Sequence, residues 1–319
     1  TRYTDWQDEL IGGTAENSAI QLSLSGGSDN TSFLISGGHN RQTTVFSDDF
    51  RYKTTSLSGN LSHRSDDKRL TLNASGLFSD QSNNLIQSDV TKQALRLSPN
   101  APALYQEDGS LNWENNTFTN PVAAYKVTYS YQSKTFNTNL NLSYELLPSC
   151  YLKFNGGINY TSFSDLMLSP HTRYNPSYGF TSARSSATKG EQKQFSYLLE
   201  PQFNYTWNRG DHQTNILVGG TFQQNQSSAL RLYGYDYESN SLLTNLTAAG
   251  TLLIRGDDTT DYKYAAVFGR INYQYKSRYI LNLTGRRDGS SRFGPDNRFA
   301  NFGAVGAAWL LSEENFLAG

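Results

Sequence analysis

Residues 137 to 160, "NTNLNLSYELLPSCYLKFNGGINY", alternate twice about one short break. Before it, Thr138, Leu140, Leu142 and Tyr144 interleave with Asn137, Asn139, Asn141 and Ser143. After it, Leu152, Phe154, Ile158 and Tyr160 interleave with Lys153, Asn155 and Asn159. Successive side chains of a strand point to opposite faces, so this stretch predicts a hairpin with one apolar and one polar face. The period recurs along the chain and predicts strands near 15–26, 30–40, 51–63, 69–79, 135–147, 151–164, 194–207, 213–226, 263–275, 278–288 and 299–311. Most of these are about twice the mean strand of a globular protein, a length that suits a tilted strand crossing a bilayer. Helical signals are nearly absent; "SEENFL" (312–317), with its Ser cap, predicts one turn.

The connections alternate in length. Short ones are "GSDN" (27–30), "RSDDK" (64–68), "LPS" (147–149), "NRGDH" (208–212) and "KS" (276–277), and between them lie 41–50, 80–134, 165–193, 227–262 and 289–298. Structureless loops of that size are uncommon in compact soluble domains, whereas short turns at one rim and long loops at the other are the habit of outer-membrane barrels. No linker divides the chain, which reads as one domain over 1–319.

What the apolar face touches follows from its order along each strand. Next to the short turns it is aromatic, at Tyr144, Tyr151, Tyr205, Trp207, Tyr273, Tyr275 and Tyr279. Further along it is Leu140, Leu142, Phe154, Ile158, Ile216, Val218, Leu281 and Leu283. An aliphatic band ending in Tyr and Trp is what a bilayer with a polar headgroup layer selects. A sandwich would need a second apolar surface, which the polar faces do not supply. Those faces carry Asn137, Asn139, Asn141, Ser143, Lys153, Asn155, Asn159, Gln202, Asn204, Thr206, Arg270, Asn272, Asn282, Thr284 and Arg286, residues suited to a wet lumen.

Composition agrees. Only 36% of residues are hydrophobic and mean hydropathy is −0.60, yet aromatics reach 13%, with 21 Tyr against one Met, too aromatic for a disordered chain. No run of about 18 apolar residues could form a membrane helix, but a barrel needs only every second residue to face lipid. A net charge of −1 without a basic stripe gives nucleic-acid binding no electrostatic basis. The lone Cys150, placed in a turn, excludes an internal disulfide framework and a cysteine metal cluster. The opening "TRYTDWQDEL" has neither the charged nor the apolar region of a signal peptide, so either a mature end or an internal piece is expected there.

Several motifs have plain structural readings. Asn-x-Ser/Thr at Asn73, Asn141, Asn159, Asn204 and Asn282 matches the glycosylation triplet, but strand alternation generates it unaided. Arg-Gly-Asp occurs at Arg209–Asp211 and Arg255–Asp257, where Gly-Asp is ordinary turn chemistry. Asp257, Asp258 and Asp261 could hold calcium but lack the EF-hand spacing, which favours a solvated loop. His39, His63, His171 and His212 are scattered without metal-ligand spacing. No nucleophile elbow, phosphate loop or nucleotide fingerprint appears, so no catalytic, metal or cofactor residue is assigned and enzymatic function has no positive support.

The stretch "AAVFGRINYQYKSRYILNLTGRRDGSSRFGPDNRFANFGAVGAAWLLSEENFL" (265–317) resembles the SusC/RagA family of TonB-linked outer-membrane transporters. "TDWQDEL" (4–10), "LSLSGGSDNTSFLISGGH" (22–39), "SPNAPALYQEDGSL" (98–111) and "LLPSCYLKFNGG" (146–157) are similar to the family as well. The resemblance implies active import of oligosaccharides or peptides through the outer membrane of a Bacteroidetes-type bacterium, powered through TonB, with a SusD-like lipoprotein over the outer loops. The family also has a plug domain and about twice as many strands, so the chain is expected to be a central barrel portion and an open arc. Arg286, Asp288, Gly289 and Phe293 of the family block look structural, and no substrate-binding residue is carried over. The rival readings are a passive porin, an outer-membrane hydrolase and a secreted β-sandwich adhesin.

Overall fold

A computed structural model describes residues 3–46 and 50–314. Eleven strands form one sheet in strict chain order: β1 (Asn17–Gly27), β2 (Thr31–Thr43), β3 (Arg51–Arg64), β4 (Leu70–Asn83), β5 (Thr128–Leu147), β6 (Cys150–Ser169), β7 (Ser186–Arg209), β8 (His212–Tyr237), β9 (Ala249–Tyr275), β10 (Tyr279–Ser290) and β11 (Phe299–Trp309). Every neighbouring pair is antiparallel, and β1 and β11 do not pair with each other. The result is an open up-and-down sheet. Its tight turns (28–30, 65–69, 148–149, 210–211, 276–278) lie at one rim, and the connections 44–50, 84–127, 170–185, 238–248 and 291–298 at the other.

The sheet is sheared as a barrel wall is. Traced along the hydrogen-bond rows from the β1–β2 turn to the β9–β10 turn, the tight turns step outward by about nine residues over eight strands. With about 3.3 Å per residue and 4.8 Å between strands, that stagger corresponds to a strand tilt of about 40°, within the range that closes barrels.

All eleven strands fall where alternation places them, but β5 to β9 run to 20, 20, 24, 26 and 27 residues. The expected loops 80–134, 165–193 and 227–262 therefore shorten to 84–127, 170–185 and 238–248. Crossing a bilayer takes about 9–11 tilted residues, so more than half of β9 stands outside it. There both faces meet water, and stretches such as "SATKGEQK" (186–193) pair in the ladder without showing apolar alternation.

The long-loop rim carries its own small cores. Helix α1 (Trp6–Ile11) starts on Asp5, whose carboxylate accepts from the Gln7 and Asp8 amides. Trp6 and Leu10, four apart and thus on one helix face, pack with Val90 and Ala94 of the α2 (Thr91–Arg96) region and with Leu104, Leu111, Phe118 and Val122. Trp6 Nε1 donates to the Ser98 carbonyl at 2.7 Å. The buried Asn120 amide donates to the Leu104 and Asn112 carbonyls, so the segment before β1 and the β4–β5 connection form one folded cap. Burial pushes the Tyr125 phenol up to about 12, with Tyr105 and Asp89 adding to the effect, so it stays neutral. A second node joins two other loops: Ser185, fully buried, bonds His171 and Asn240 beside a core of Ala187, Tyr237 and Leu243. Among the described residues, helix is thus confined to two six-residue pieces and short 3₁₀ turns in the connections of an all-β chain, and the Asp5 cap marks a turn that alternation does not predict.

Candidate functional site

Residues directly opposite across an antiparallel ladder share a face. Following the register from β1 to β11 therefore sorts every strand residue. Leu140, Leu142, Phe154, Ile158, Ile216, Val218, Leu281 and Leu283 all fall on one face. Tyr144, Tyr205, Trp207, Tyr273, Tyr275 and Tyr279 share it, and Trp309 stacks on Tyr279 with ring centroids 6.0 Å apart. Tyr151 does not. It pairs with Glu145, beside the irregularity at Glu145/Leu147, and so joins the opposite, polar face. Cys150 is buried and opens β6 rather than sitting in the turn. This first face, exposed from Leu22 and Leu24 on β1 to Val305 on β11, is the outer one.

At the tight-turn rim the outer face ends in a hydrogen-bonded knot. Tyr279 Oη donates to Glu314 at 2.6 Å, Trp309 Nε1 at 3.0 Å and Arg278 at 3.1 Å. These donors, the Tyr279 hydroxyl foremost, hold the Glu314 carboxyl below its usual range. A 3₁₀ turn at Leu311–Glu313, with Leu310 at its N-cap and no side-chain cap, overlaps the Ser-capped turn expected at "SEENFL" only at Ser312 and Glu313; Asn315 to Leu317 lie outside the described residues.

All fifteen residues read as lumenal fall on the inner face. Asn137, Asn139, Asn141, Asn155 and Asn159 gather around an open concavity with Ser196, Gln223 and Asn225. A second gathers Asn204, Thr206, Asn215, Arg270, Asn272 and Asn282. Thr206 donates to Asn215 at 2.7 Å and Asn272 to Asn282 at 2.6 Å, whereas the buried Asn204 Nδ2 has no partner. A primary amide offers donor and acceptor together, so this carpet can exchange hydrogen bonds with water or with ligand hydroxyls. Asn73, Asn141, Asn159, Asn204 and Asn282 all face inward from strands, which accounts for the glycosylation-like triplets by alternation.

Toward the long loops the inner face becomes aromatic and charged. Tyr131, Asp165, Gly190 and Arg231 form one row across β5 to β8. Asp165 and Arg231 reach each other over β7 because the residue between them has no side chain: a Cβ on Gly190 would stand 2.1 Å from Asp165 Oδ1. One Arg231 nitrogen lies 3.2 Å from both Asp165 oxygens, with the carboxylate side chain 4% exposed and the guanidinium 55%. Phe163 packs against Tyr131 at 5.4 Å, and Arg255 lies 5.0 Å over the Tyr233 ring. Gly190→Ala is expected to part the Asp165–Arg231 pair and cost about 1–3 kcal/mol, because a buried carboxylate loses its partner. A thermal or urea unfolding titration against Gly269→Ala, where a Cβ meets only a backbone oxygen at 3.6 Å, checks this. Sequence reading missed Asp165 and Arg231, since each lies just past the end of the apolar alternation.

The remaining motif residues do not converge. Asp257 and Asp261 point outward from β9 and Asp258 inward, so the three cannot share a cation; their run is strand rather than loop. The first Arg-Gly-Asp spans the β7–β8 turn and the second lies within β9. His39 and His63 bond Thr55 and Thr31 on the outer face, His212 bonds Tyr273 at the tight-turn rim, and His171 belongs to the loop node. Arg286 bonds Asp288 and Tyr264, Phe299 crowds Gly289, and Phe293 is exposed in the β10–β11 connection.

Long tilted strands, an apolar outer face with an aromatic edge and a polar inner face define an outer-membrane β-barrel protein. No protein-family model matches the chain. It is 28% identical to TonB-dependent receptor P3 of Formosa agariphila, over 98% of this chain and 32% of that one. It is 27% identical to TonB-dependent receptor SusC of Bacteroides thetaiotaomicron, over 99% of this chain and 33% of that one. Its fold matches the RagAB peptide importer in the 'open-open' state with a TM-score of 0.69 and 22% identity, over 96% of this chain and 35% of that one. The chain is thus similar over nearly its whole length to TonB-dependent receptors of the SusC type, and its fold is that of the RagAB transporter's barrel wall. It spans about a third of the length of the curated relatives it matches, and those relatives are receptors rather than enzymes.

Proposed function

We propose that residues 1–319 form one barrel-wall domain of an outer-membrane importer that takes up large nutrients by TonB-dependent active transport, and that the nutrient is an oligosaccharide. The observation that carries this reading is the inner face: a continuous amide and hydroxyl surface behind a continuous lipid-suited one. Hydroxyl-rich ligands need donor and acceptor at each contact, which Asn supplies, and tyrosine rings such as Tyr131 and Tyr233 offer flat faces for sugar rings. Peptide is the second reading, favoured by the likeness in fold to the RagAB peptide importer. In this reading a plug fills the lumen and moves when TonB pulls it, and a SusD-like lipoprotein covers the long-loop rim, where the folded caps present a firm surface.

The test is uptake by cells carrying the full-length transporter. Oligosaccharide import should stop when TonB is deleted, and Tyr131→Ala with Tyr233→Ala should raise the half-saturating concentration roughly tenfold, equivalent to about 1.4 kcal/mol of binding. Uptake that persists without TonB would favour a passive porin. Uptake of peptides but not sugars would replace the substrate class.

A further inference from the structure

Above the apolar band, the outer face carries a ring of cations. Arg41, Lys53, Lys134, Lys193, Lys263 and Arg287 all share the face of the lipid band. Arg41 and Lys53 stand directly opposite each other. Lys134 is two residues nearer the tight turns than their row, and Lys193 lies on the Lys134 row. Lys263 is a further four residues down and Arg287 four more. The rows themselves climb away from the tight turns because the strands tilt. Over the eight strand steps from β2 to β10, both slopes amount to about 25 Å and offset each other. The six cations therefore lie at nearly one height. Phe136 and Phe195, at the outer edge of the band, sit two residues below Lys134 and Lys193.

The chain neutralises this ring only in part: Asp80 stands opposite Lys134, Glu191 lies two residues from Lys193 on the same face and Asp261 pairs with Lys263, which leaves Arg41 and Lys53 the least compensated. Like charges opposed across a ladder repel, yet no carboxylate among the described residues pairs with Arg41 or Lys53. Asp80, on the Lys134 row, accepts instead from Gln132 at 3.1 Å. Among the described residues, Lys263 alone of the six has an ion pair, with Asp261 at 3.3 Å. We propose that this belt binds the phosphate groups of lipid headgroups in the outer leaflet, with Arg41 and Lys53 as its strongest site. The belt continues the lipid-facing surface, so a lipid whose chains cover Ile35 and Leu57 carries its headgroup to Arg41 and Lys53. A multivalent phosphate also turns the opposed like charges into a chelating pair.

The experiment uses the full-length transporter, purified in detergent and offered diphosphoryl lipid A, the same lipid with both phosphates removed, or inorganic phosphate, with bound ligand counted by native mass spectrometry. Retention of the phosphorylated lipid should exceed that of the dephosphorylated lipid at least tenfold and fall as salt rises. Arg41→Gln with Lys53→Gln should lower it at least fivefold, and the exchanged pair Arg41→Lys with Lys53→Arg should keep it. Arg270→Gln on the inner face, which adds no outer-face change, should leave it unaltered. Equal retention of the two lipids, full retention by the glutamine variant, or binding of inorganic phosphate as strong as that of the lipid would each overturn the proposal.

Discussion

Leu140→Arg or Leu283→Arg should destabilise the folded protein in a bilayer by about 2–4 kcal/mol, while Asn141→Arg or Asn282→Arg should change it by well under 1 kcal/mol. The two members of each comparison are adjacent in sequence, so propensity and strand position are nearly constant and only the face differs. Leu140 stands opposite Ala74 and Gly156, and Leu283 opposite Ile271 and Val305, all on the outer face and all midway between the aromatic edge and the cation belt. An arginine there must carry its charge into hydrocarbon or drag water and headgroups toward it. At Asn141 and Asn282 it enters a surface that already holds Arg270 and Lys153. Equilibrium refolding into lipid vesicles, followed by tryptophan emission and gel mobility, measures both sets. Equal losses from the two would mean that the apolar face does not meet lipid.

The parts of this fold that were legible in the sequence are those where two solvents meet one strand. Between lipid and lumen, alternation is enforced at every position, and eight of eight band residues and fifteen of fifteen lumenal ones fall on the expected faces. Tyr151 directly precedes Leu152 of the outer face, so unbroken alternation along β6 sets it on the polar face with Lys153; nearness to the tight turn, not the period, groups it with the aromatic edge. Above the bilayer both faces are wet. Thr188, Gln192, Ser227 and Thr260 then satisfy the ladder without any polarity contrast, so the outer reaches of β7 to β9 resembled loop.

The same loss of contrast hid the charged row of the candidate site. Asp165 and Arg231 are separated by 66 positions, and only the register through Gly190 brings them together. The one signal available was Gly190 itself, a small residue in an otherwise long-side-chained run, which marks close approach across a strand. The folded cap was missed: Asp5 before Trp6 with Leu10 four residues on is a capped amphipathic turn, a signal too short to stand out beside the strand period.

Residues 1–319 produced alone should yield neither a heat-modifiable band nor vesicles permeable to sugar. The sheet has two free edges, on β1 and β11, and both strands are exposed along their whole length. About half the backbone groups of each 11-residue edge strand point away from the sheet, which leaves on the order of ten N–H and C=O groups per edge with no partner. In hydrocarbon each unpaired group costs several kcal/mol. The summed cost is then tens of kcal/mol, beyond the 5–15 kcal/mol of net stability typical of a folded domain. An open wall of this kind needs further strands to pair its edges before it can rest in a bilayer. In water the outer band would be a continuous exposed apolar surface beside two pairing edges, so association between copies is the expected fate. Gel mobility with and without heating, sedimentation in detergent and swelling of sugar-loaded vesicles report the outcome. A monodisperse, heat-modifiable species that admits sugar would show that β1 and β11 find each other, and the passive porin would then be the better reading.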